Sequence, residues 1–109
     1  IYAGEMAAFA EMYAQREQQG RATADIAQAA RAATFGAIDT LIVDMDVTIS
    51  GFINDDGVVI FDEAPNALNY GIIDEIARRT MQAGGKVIAG RRSDIPGNAE
   101  LAAVLRYAF

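Results

Sequence analysis

The 109-residue sequence contains no cysteine and no histidine, and these two absences exclude several kinds of site. Without cysteine the chain has no disulfide framework and no thiolate ligand for a metal. Without histidine it lacks the commonest general base and cannot form a Ser-His or Cys-His nucleophile pair. A zinc site would have to consist of carboxylates alone, which is an uncommon ligand set. We therefore expect no cofactor and no metal site.

Long apolar runs are also missing, because none approaches the roughly 20 residues that a membrane-spanning helix needs. The chain begins at Ile1 and has no basic segment followed by an apolar one, so it does not resemble a secretory precursor. Its apolar content of 52% and charged content of 22% are ordinary for a soluble globular domain. We expect one cytoplasmic domain, cut from a longer protein.

Lysine and arginine are absent from the whole middle of the chain. Residues 37–77 contain nine acidic residues and no basic one, whereas residues 78–109 contain six basic and two acidic residues. Such an acidic middle would repel a phosphate backbone, which argues against direct RNA binding by this chain. A solvated surface is the plainer explanation of both charge blocks.

The apolar periodicity predicts alternating helices and strands. Helices are predicted over residues 3–19 and 23–34, where Gly20 and Gly36 end them and Thr23 is a plausible N-cap. A strand follows over Ile38–Asp44, and three consecutive apolar residues within it suggest burial on both faces.

An Asn-Asp-Asp-Gly turn at residues 54–57 connects two apolar runs, Val47–Ile53 and Gly57–Phe61, and is typical of a hairpin. The remaining predictions are a loop over 63–69, a helix over 71–83 that ends at a Gly-Gly pair, and a strand over 86–89. The last apolar segment, residues 101–107, is helical or extended by its pattern alone.

One motif at the end of the first predicted strand suggests an enzyme. Asp44-x-Asp46 followed by Thr48 resembles the motif in which haloacid dehalogenase-type phosphatases present a nucleophilic aspartate and its acid/base partner. That chemistry also needs a basic residue and a magnesium ion at the ends of several parallel strands. Only 65 residues follow Asp44 (109 minus 44), which is room for about two β-α-β units of roughly 30 residues. A phosphohydrolase fragment that uses Asp44 and Asp46 is therefore the alternative hypothesis.

Three stretches carry a different resemblance. They are "ATFGAIDTLIVD" (Ala33–Asp44), "IIDEIARRTMQAGGKVIA" (Ile72–Ala89) and "LAAVLRY" (Leu101–Tyr107). In this order and spacing they resemble the C-terminal domain of archaeal and eukaryotic class-one peptide release factors and of Pelota, with a nearer likeness to the bacterial branch of that superfamily. The resemblance implies an α/β fold, a three-layer α/β/α sandwich with a mixed central sheet that is shared with kink-turn-binding ribosomal proteins. It also makes residues 101–107 extended.

The same resemblance implies a division of the chain and a role. Residues 1–35 would form two helices that link to an upstream domain and pack on the sandwich, and residues 36–109 would form the release-factor-like domain. In those factors hydrolysis belongs to a Gly-Gly-Gln loop on another domain, and this chain has no such loop. The C-terminal domain instead contacts the ribosome and docks translational GTPases. We therefore expect a non-catalytic interaction domain of a ribosome-associated translation protein.

Two arginines are the candidate partner-binding residues. Arg91 and Arg92 follow the strand predicted over 86–89, and loops at strand ends are favoured recognition positions. Guanidinium groups bind carboxylates and phosphates in a bidentate manner, so either a protein or a ribosomal RNA could be contacted. The alternative is that both arginines only balance the acidic middle. If the chain is a release-factor-like domain, Asp44 and Asp46 end a central strand and begin the turn into the hairpin.

Overall fold

A computed structural model describes residues 2–44, 46–62 and 70–108. The described residues form three α-helices, two short 3₁₀ helices (Arg92–Asp94 and Pro96–Asn98) and seven strands. The helices are α1 (Tyr2–Glu17), α2 (Ile26–Thr34) and α3 (Ile72–Gln82). The strands are β1 (Ala22–Thr23), β2 (Ile38–Asp44), β3 (Ser50–Ile53), β4 (Val59–Phe61), β5 (Tyr70–Gly71), β6 (Lys86–Gly90) and β7 (Leu101–Leu105). None of these helices combines the length and the hydropathy that a membrane span requires.

The main sheet is mixed and has the strand order β1-β7-β2-β6. β2 runs parallel to β6 and antiparallel to β7, and β7 also pairs antiparallel with β1. A right-handed crossover is the usual way to join two parallel strands, and here the connection from β2 to β6 includes α3. The mixed sheet that the resemblance implied is confirmed.

Helices cover both faces of this sheet. Because successive side chains of a strand point to opposite faces, Leu41 and Val43 of β2 face the cluster formed with α2 and α3, whereas Ile42 faces the cluster formed with α1. β7 alternates in the same way, and all five of its residues are buried. The predicted three-layer arrangement is thus present, with α1 as one outer layer and α2 with α3 as the other.

Helices α2 and α3 end in the same glycine-dependent geometry. After α3, the N–H of Gly84 donates to the carbonyl of Met81 (3.0 Å) and that of Gly85 donates to Thr80 (2.8 Å). Gly84 has a φ of 87°, which L-residues with a side chain rarely adopt. This pair of hydrogen bonds is the Schellman motif. Gly36 occupies the equivalent position after α2.

The predicted hairpin forms part of a second, smaller sheet with the order β4-β3-β5. Asn54 organises its turn, because the Asn54 Oδ1 atom accepts hydrogen bonds from the N–H groups of Asp56 and Val58, both at 2.9 Å. Ile53 and Val59 are opposite each other and contact the core cluster beneath α3. The hairpin therefore has one side on the core and one side toward solvent.

Three details differ from the sequence predictions. The first is the start of α2, whose N-cap is Asp25 and not Thr23, since the Asp25 carboxylate accepts from the N–H of Gln28. Thr23 instead belongs to β1. The second is the strand before the hairpin, which is shorter than residues 47–53 because a turn and irregular residues follow β2. The third is the final strand, which ends at Leu105. The predicted loop over 63–69 lies outside the described residues.

Candidate functional site

The four residues singled out from the sequence lie at one edge of the main sheet. β2 and β6 are parallel, and the register places Asp44 beside Gly90, so both strands end at the same edge. Arg91 and Arg92 directly follow β6, and Asp46 follows β2. β7 starts here too, because the N–H of Asp44 donates to the carbonyl of Glu100 (2.9 Å). The topology therefore brings together residues that are almost 50 positions apart.

Asp44 is buried at this edge, and both of its carboxylate oxygens accept hydrogen bonds. Oδ1 accepts from the N–H of Asp46 at 2.9 Å, and Oδ2 accepts from Nε of Arg92 at 3.0 Å. The first bond closes a turn in the way that aspartate commonly does at strand ends. The second is an ion pair in which the Asp44 side chain is only 8% exposed.

These contacts determine the charge of Asp44. The hydrogen bond from the Asp46 N–H is the main cause that lowers the pKa of the Asp44 carboxyl, and Arg92 lowers it further, while burial acts in the opposite direction. Donors aimed at a carboxylate stabilise its ionised form. Asp44 is thus an ionised group held by internal partners.

Asp46 and the arginines differ in their surroundings. Asp46 is exposed in the turn after β2. Arg92 is about half exposed and donates to Asp44. Arg91 is exposed and precedes a short 3₁₀ turn, where its carbonyl accepts from the N–H of Asp94 at 2.8 Å. Of the two candidate arginines, Arg91 thus presents its side chain to solvent and Arg92 closes an internal ion pair.

The phosphatase hypothesis finds no support in this geometry. The chain after β2 enters the hairpin, whereas that chemistry needs crossover connections to further parallel strands. Within the part of the chain that the structure describes, no three acidic side chains come close enough to hold a metal ion. Lys86, the single lysine, lies at the start of β6 beside Thr40, at the opposite edge from Asp44.

A groove of about 600 Å³ lies next to this edge and was not predicted from the sequence. Its walls are α1, with Tyr13 and Glu17, and the turns over 93–97, with Ile95 at their centre. Burial raises the pKa of the Tyr13 hydroxyl, and the nearby Glu17 carboxylate adds to the effect. The sequence places α1 and the 93–97 segment 80 residues apart, so only the fold reveals the groove.

No protein-family model and no curated protein matches the sequence. Among the solved structures that share the fold are the following two. The C-terminal domain of a peptide chain release factor from Methanosarcina mazei is similar with a TM-score of 0.69 and 16% sequence identity, over 96% of this chain and 82% of that one. Archaeoglobus fulgidus Pelota is similar with a TM-score of 0.63 and 20% identity, over 97% of this chain and 30% of Pelota.

These similarities confirm the fold class that the sequence resemblance implied. The likeness extends over nearly the whole chain, including the two N-terminal helices. The chain spans less than a third of the length of Pelota, so it corresponds to one part of that protein. At 16% and 20% identity the comparison concerns the fold, and function is a separate question, because one fold serves many functions.

Proposed function

We propose that this chain is a non-catalytic interaction domain of a release-factor-like protein that acts in translation and associates with the ribosome. The observation that supports this most is the fold shared with a release-factor C-terminal domain and with part of Pelota over at least 96% of the chain. The proposed division into residues 1–35, linked to an upstream domain, and residues 36–109 belongs to the same hypothesis. So do a cytoplasmic location and a translational GTPase as a second partner of a longer protein. The nearer likeness to the bacterial branch finds no support, because both similar structures are archaeal.

A non-enzymatic role agrees with the way Asp44 is held. A nucleophilic carboxylate must reach its substrate, whereas the Asp44 side chain is only 8% exposed and pairs with Arg92. Phosphoester turnover with magnesium should therefore be absent, both in the wild-type chain and in Asp44→Asn. Turnover that disappears in Asp44→Asn would favour the phosphatase hypothesis.

Arg91 is the better placed of the two arginines for contact with a partner. Its side chain is exposed on a segment that directly follows a strand of the central sheet. Reversing Arg92 would place a carboxylate against the buried Asp44, so a loss of binding in Arg92→Glu could come from damage to the fold. Arg91→Glu tests the surface without this complication.

The test is co-sedimentation of the purified chain with ribosomes of the source organism at low and moderate salt. We expect the wild-type chain to pellet at low salt and Arg91→Glu to pellet less, because charge-assisted capture is screened by salt. Lys86→Glu is the matched control, since it makes the same charge change at the other end of β6. It breaks a pair with Glu5, but that pair is long (3.4 Å) and exposed, so its loss should cost little stability. A chain that never pellets would contradict the ribosomal role, and equal pelleting of all three chains would exclude Arg91 from the contact.

A further inference from the structure

The β3–β4 hairpin carries an exposed apolar surface that the proposed ribosomal contact at Arg91 does not use. In the described residues seven large apolar side chains are exposed, and four of them lie on this hairpin: Phe52, Val58, Ile60 and Phe61. Phe52, Val58 and Ile60 share one side of the hairpin, and we call these three residues the hairpin surface. Phe61 is opposite Gly51 and belongs to the side of Val59. Single exposed apolar residues are normal, but a contiguous group of them marks an interaction site.

Strand register explains why these side chains face solvent. Phe52 and Ile60 are cross-strand partners, and the next pair, Ile53 and Val59, is turned toward the core. Alternation along the strand therefore places Phe52 and Ile60 together on the outer side. Val58, two residues before Ile60, is also exposed. The hairpin thus has a second apolar side that no described element covers.

β4 also has an open edge. The order of the small sheet is β4-β3-β5, so within residues 2–44, 46–62 and 70–108 β4 pairs with one strand. An edge strand presents N–H and C=O groups to which another extended segment can bond. Addition of a strand to such an edge is a common mode of peptide recognition, in which main-chain bonds supply affinity and side-chain positions supply specificity.

The charges around the hairpin surface indicate what kind of segment fits. Asp55, Asp56 and Asp62 are exposed in and beside the hairpin. Basic groups of the helices lie on the inner side: Arg31 of α2 lies beside the turn at Gly57, and Arg78 and Arg79 of α3 line a groove with Asp55. Arg79 also donates to the hairpin carbonyls of Ile53 and Asn54. Between residues 37 and 77 there is no Lys or Arg at all. The outer side is therefore apolar with an acidic border.

We propose that the hairpin surface binds an extended, lysine- or arginine-bearing segment of a partner protein, which adds to the edge of β4 and places apolar side chains over Phe52 and Ile60. A second copy of this chain fits less well, because a two-fold interface would bring the same acidic residues face to face. A nucleic acid fits less well because its phosphates would be repelled. This surface is separate from Arg91, and its binding of such a segment does not depend on a role in translation.

The experiment uses two labelled peptides whose binding to the whole chain is followed by fluorescence anisotropy. One alternates lysine with valine, and the other has glutamate in place of lysine. We expect the lysine peptide to bind and the glutamate peptide to bind at least about tenfold more weakly, because electrostatic complementarity selects the partner. Equal binding of the two peptides would overturn the proposal.

Variants locate the contact on the chain. Phe52→Ser/Ile60→Ser should weaken binding of the lysine peptide by at least about tenfold, because apolar anchors dominate such contacts. Met81→Ser is the control, since Met81 is more exposed than Phe52 or Ile60 but lies on α3. Circular dichroism confirms that each variant is folded. Unchanged binding in a folded Phe52→Ser/Ile60→Ser chain would overturn the proposal.

A second pair of variants tests the charges without changing the apolar residues. Asp55→Asn/Asp56→Asn should reduce the affinity for the lysine peptide, whereas Glu11→Gln/Glu17→Gln, which removes two charges from exposed positions of α1, should not. An equal effect of the two pairs would show unspecific attraction and contradict the proposal. Sedimentation analysis adds a further outcome: dimers that disappear in Phe52→Ser/Ile60→Ser would identify a second copy as the occupant and overturn it.

Discussion

Arg79 joins three parts of the fold through a single guanidinium group. Its Nε donates to Glu75 (2.6 Å), and its terminal nitrogens donate to Thr34 of α2 and to the carbonyls of Ile53 and Asn54 in the hairpin. The side chain is 15% exposed, whereas that of neighbouring Arg78 is 54% exposed. Five donors in a fixed fork allow arginine to satisfy several acceptors at once.

Replacement of Arg79 should therefore destabilise the protein far more than replacement of Arg78. Arg79→Met leaves two hairpin carbonyls without their donor, and we expect a loss of about 2–4 kcal/mol in the free energy of unfolding. Arg78→Ala removes a pair with the same Glu75 at an exposed position and should cost at most about 0.5 kcal/mol. Urea denaturation measures both values, and equal losses would contradict the joining role of Arg79.

Asp44 should make the stability depend on acid pH. Its pKa lies below the ordinary value of 3.8 in the folded chain, so its ionised form stabilises the fold at higher pH. That contribution is lost as the pH falls through the lower folded-state pKa. Glu75, whose pKa is lowered mainly by Arg78, has an effect of the same sign.

We expect the free energy of unfolding to fall with decreasing pH below about pH 4, and to fall less steeply in Asp44→Asn than in the wild-type chain. Denaturation curves recorded at several acidic pH values provide the measurement. Parallel pH profiles for the two chains would show that Asp44 has no such role.

The sequence alone could not predict which side chains of the site contact one another. Each of Asp44 and Arg92 was singled out, but for different hypotheses, and their ion pair was not foreseen. The pair exists because β2 and β6 are adjacent and parallel, and strand order is a long-range property. The position of Asp44 at a strand end followed from local pattern alone.

At the scale of elements, the structure explains why two glycines, Gly84 and Gly85, follow α3 in one of the stretches that resemble release factors. Gly84 supplies the positive φ that ends α3. Gly85 lies where the chain passes close to the start of β2: an added Cβ would come within 2.6 Å of the Ile38 carbonyl oxygen and 2.7 Å of Thr80 Cγ2. Real Cβ atoms do not approach so closely. Gly84 is therefore needed for its backbone conformation, and Gly85 is needed because there is no room for a side chain.

Gly85→Ala should therefore cost about 1–3 kcal/mol, the usual penalty for inserting a methyl group where there is no room. Gly4→Ala is a suitable control, because a Cβ added at Gly4 in α1 would meet no atom within 4 Å. It should leave stability unchanged or raise it slightly, since alanine favours helix. Thermal denaturation of both variants checks the expectation, and an unaffected Gly85→Ala would show that β2 can move aside.

Most elements were predictable because their signals are local. Glycine stops, the apolar stripe of α3 and the turn residues at 54–57 each act over a few positions. The start of α2 was missed for a tertiary reason. Thr23 is an acceptable N-cap by type, but it pairs with Ala103 of β7, so the helix begins after Asp25.

At the scale of the molecule, α1 is the sole described helix on its face of the main sheet. That face is covered by Met6, Phe9 and Tyr13 of α1. Without α1, Ile42, Ile88 and Val104 of the sheet would be in contact with water. Burial of one such side chain contributes about 1.5–3 kcal/mol. The helix therefore belongs to the core.

A chain that starts at Arg21, without α1, should unfold or aggregate at temperatures where the whole chain is folded. The physical reason is the uncovered apolar face of the sheet. Melting temperature and light scattering of the two chains provide the measurement. Equal melting temperatures with no aggregation would mean that the sheet tolerates solvent on this face.

The central place of β7 has a consequence for biosynthesis. A ribosome makes the chain from its amino terminus, and the first 100 residues include every helix that the structure describes as well as β1 and β2. Yet β7 lies between β1 and β2, so neither of these strands can complete its pairing before residues 101–105 have left the exit tunnel. Until then β2 keeps an open apolar edge, which is the kind of surface that molecular chaperones protect in a growing chain.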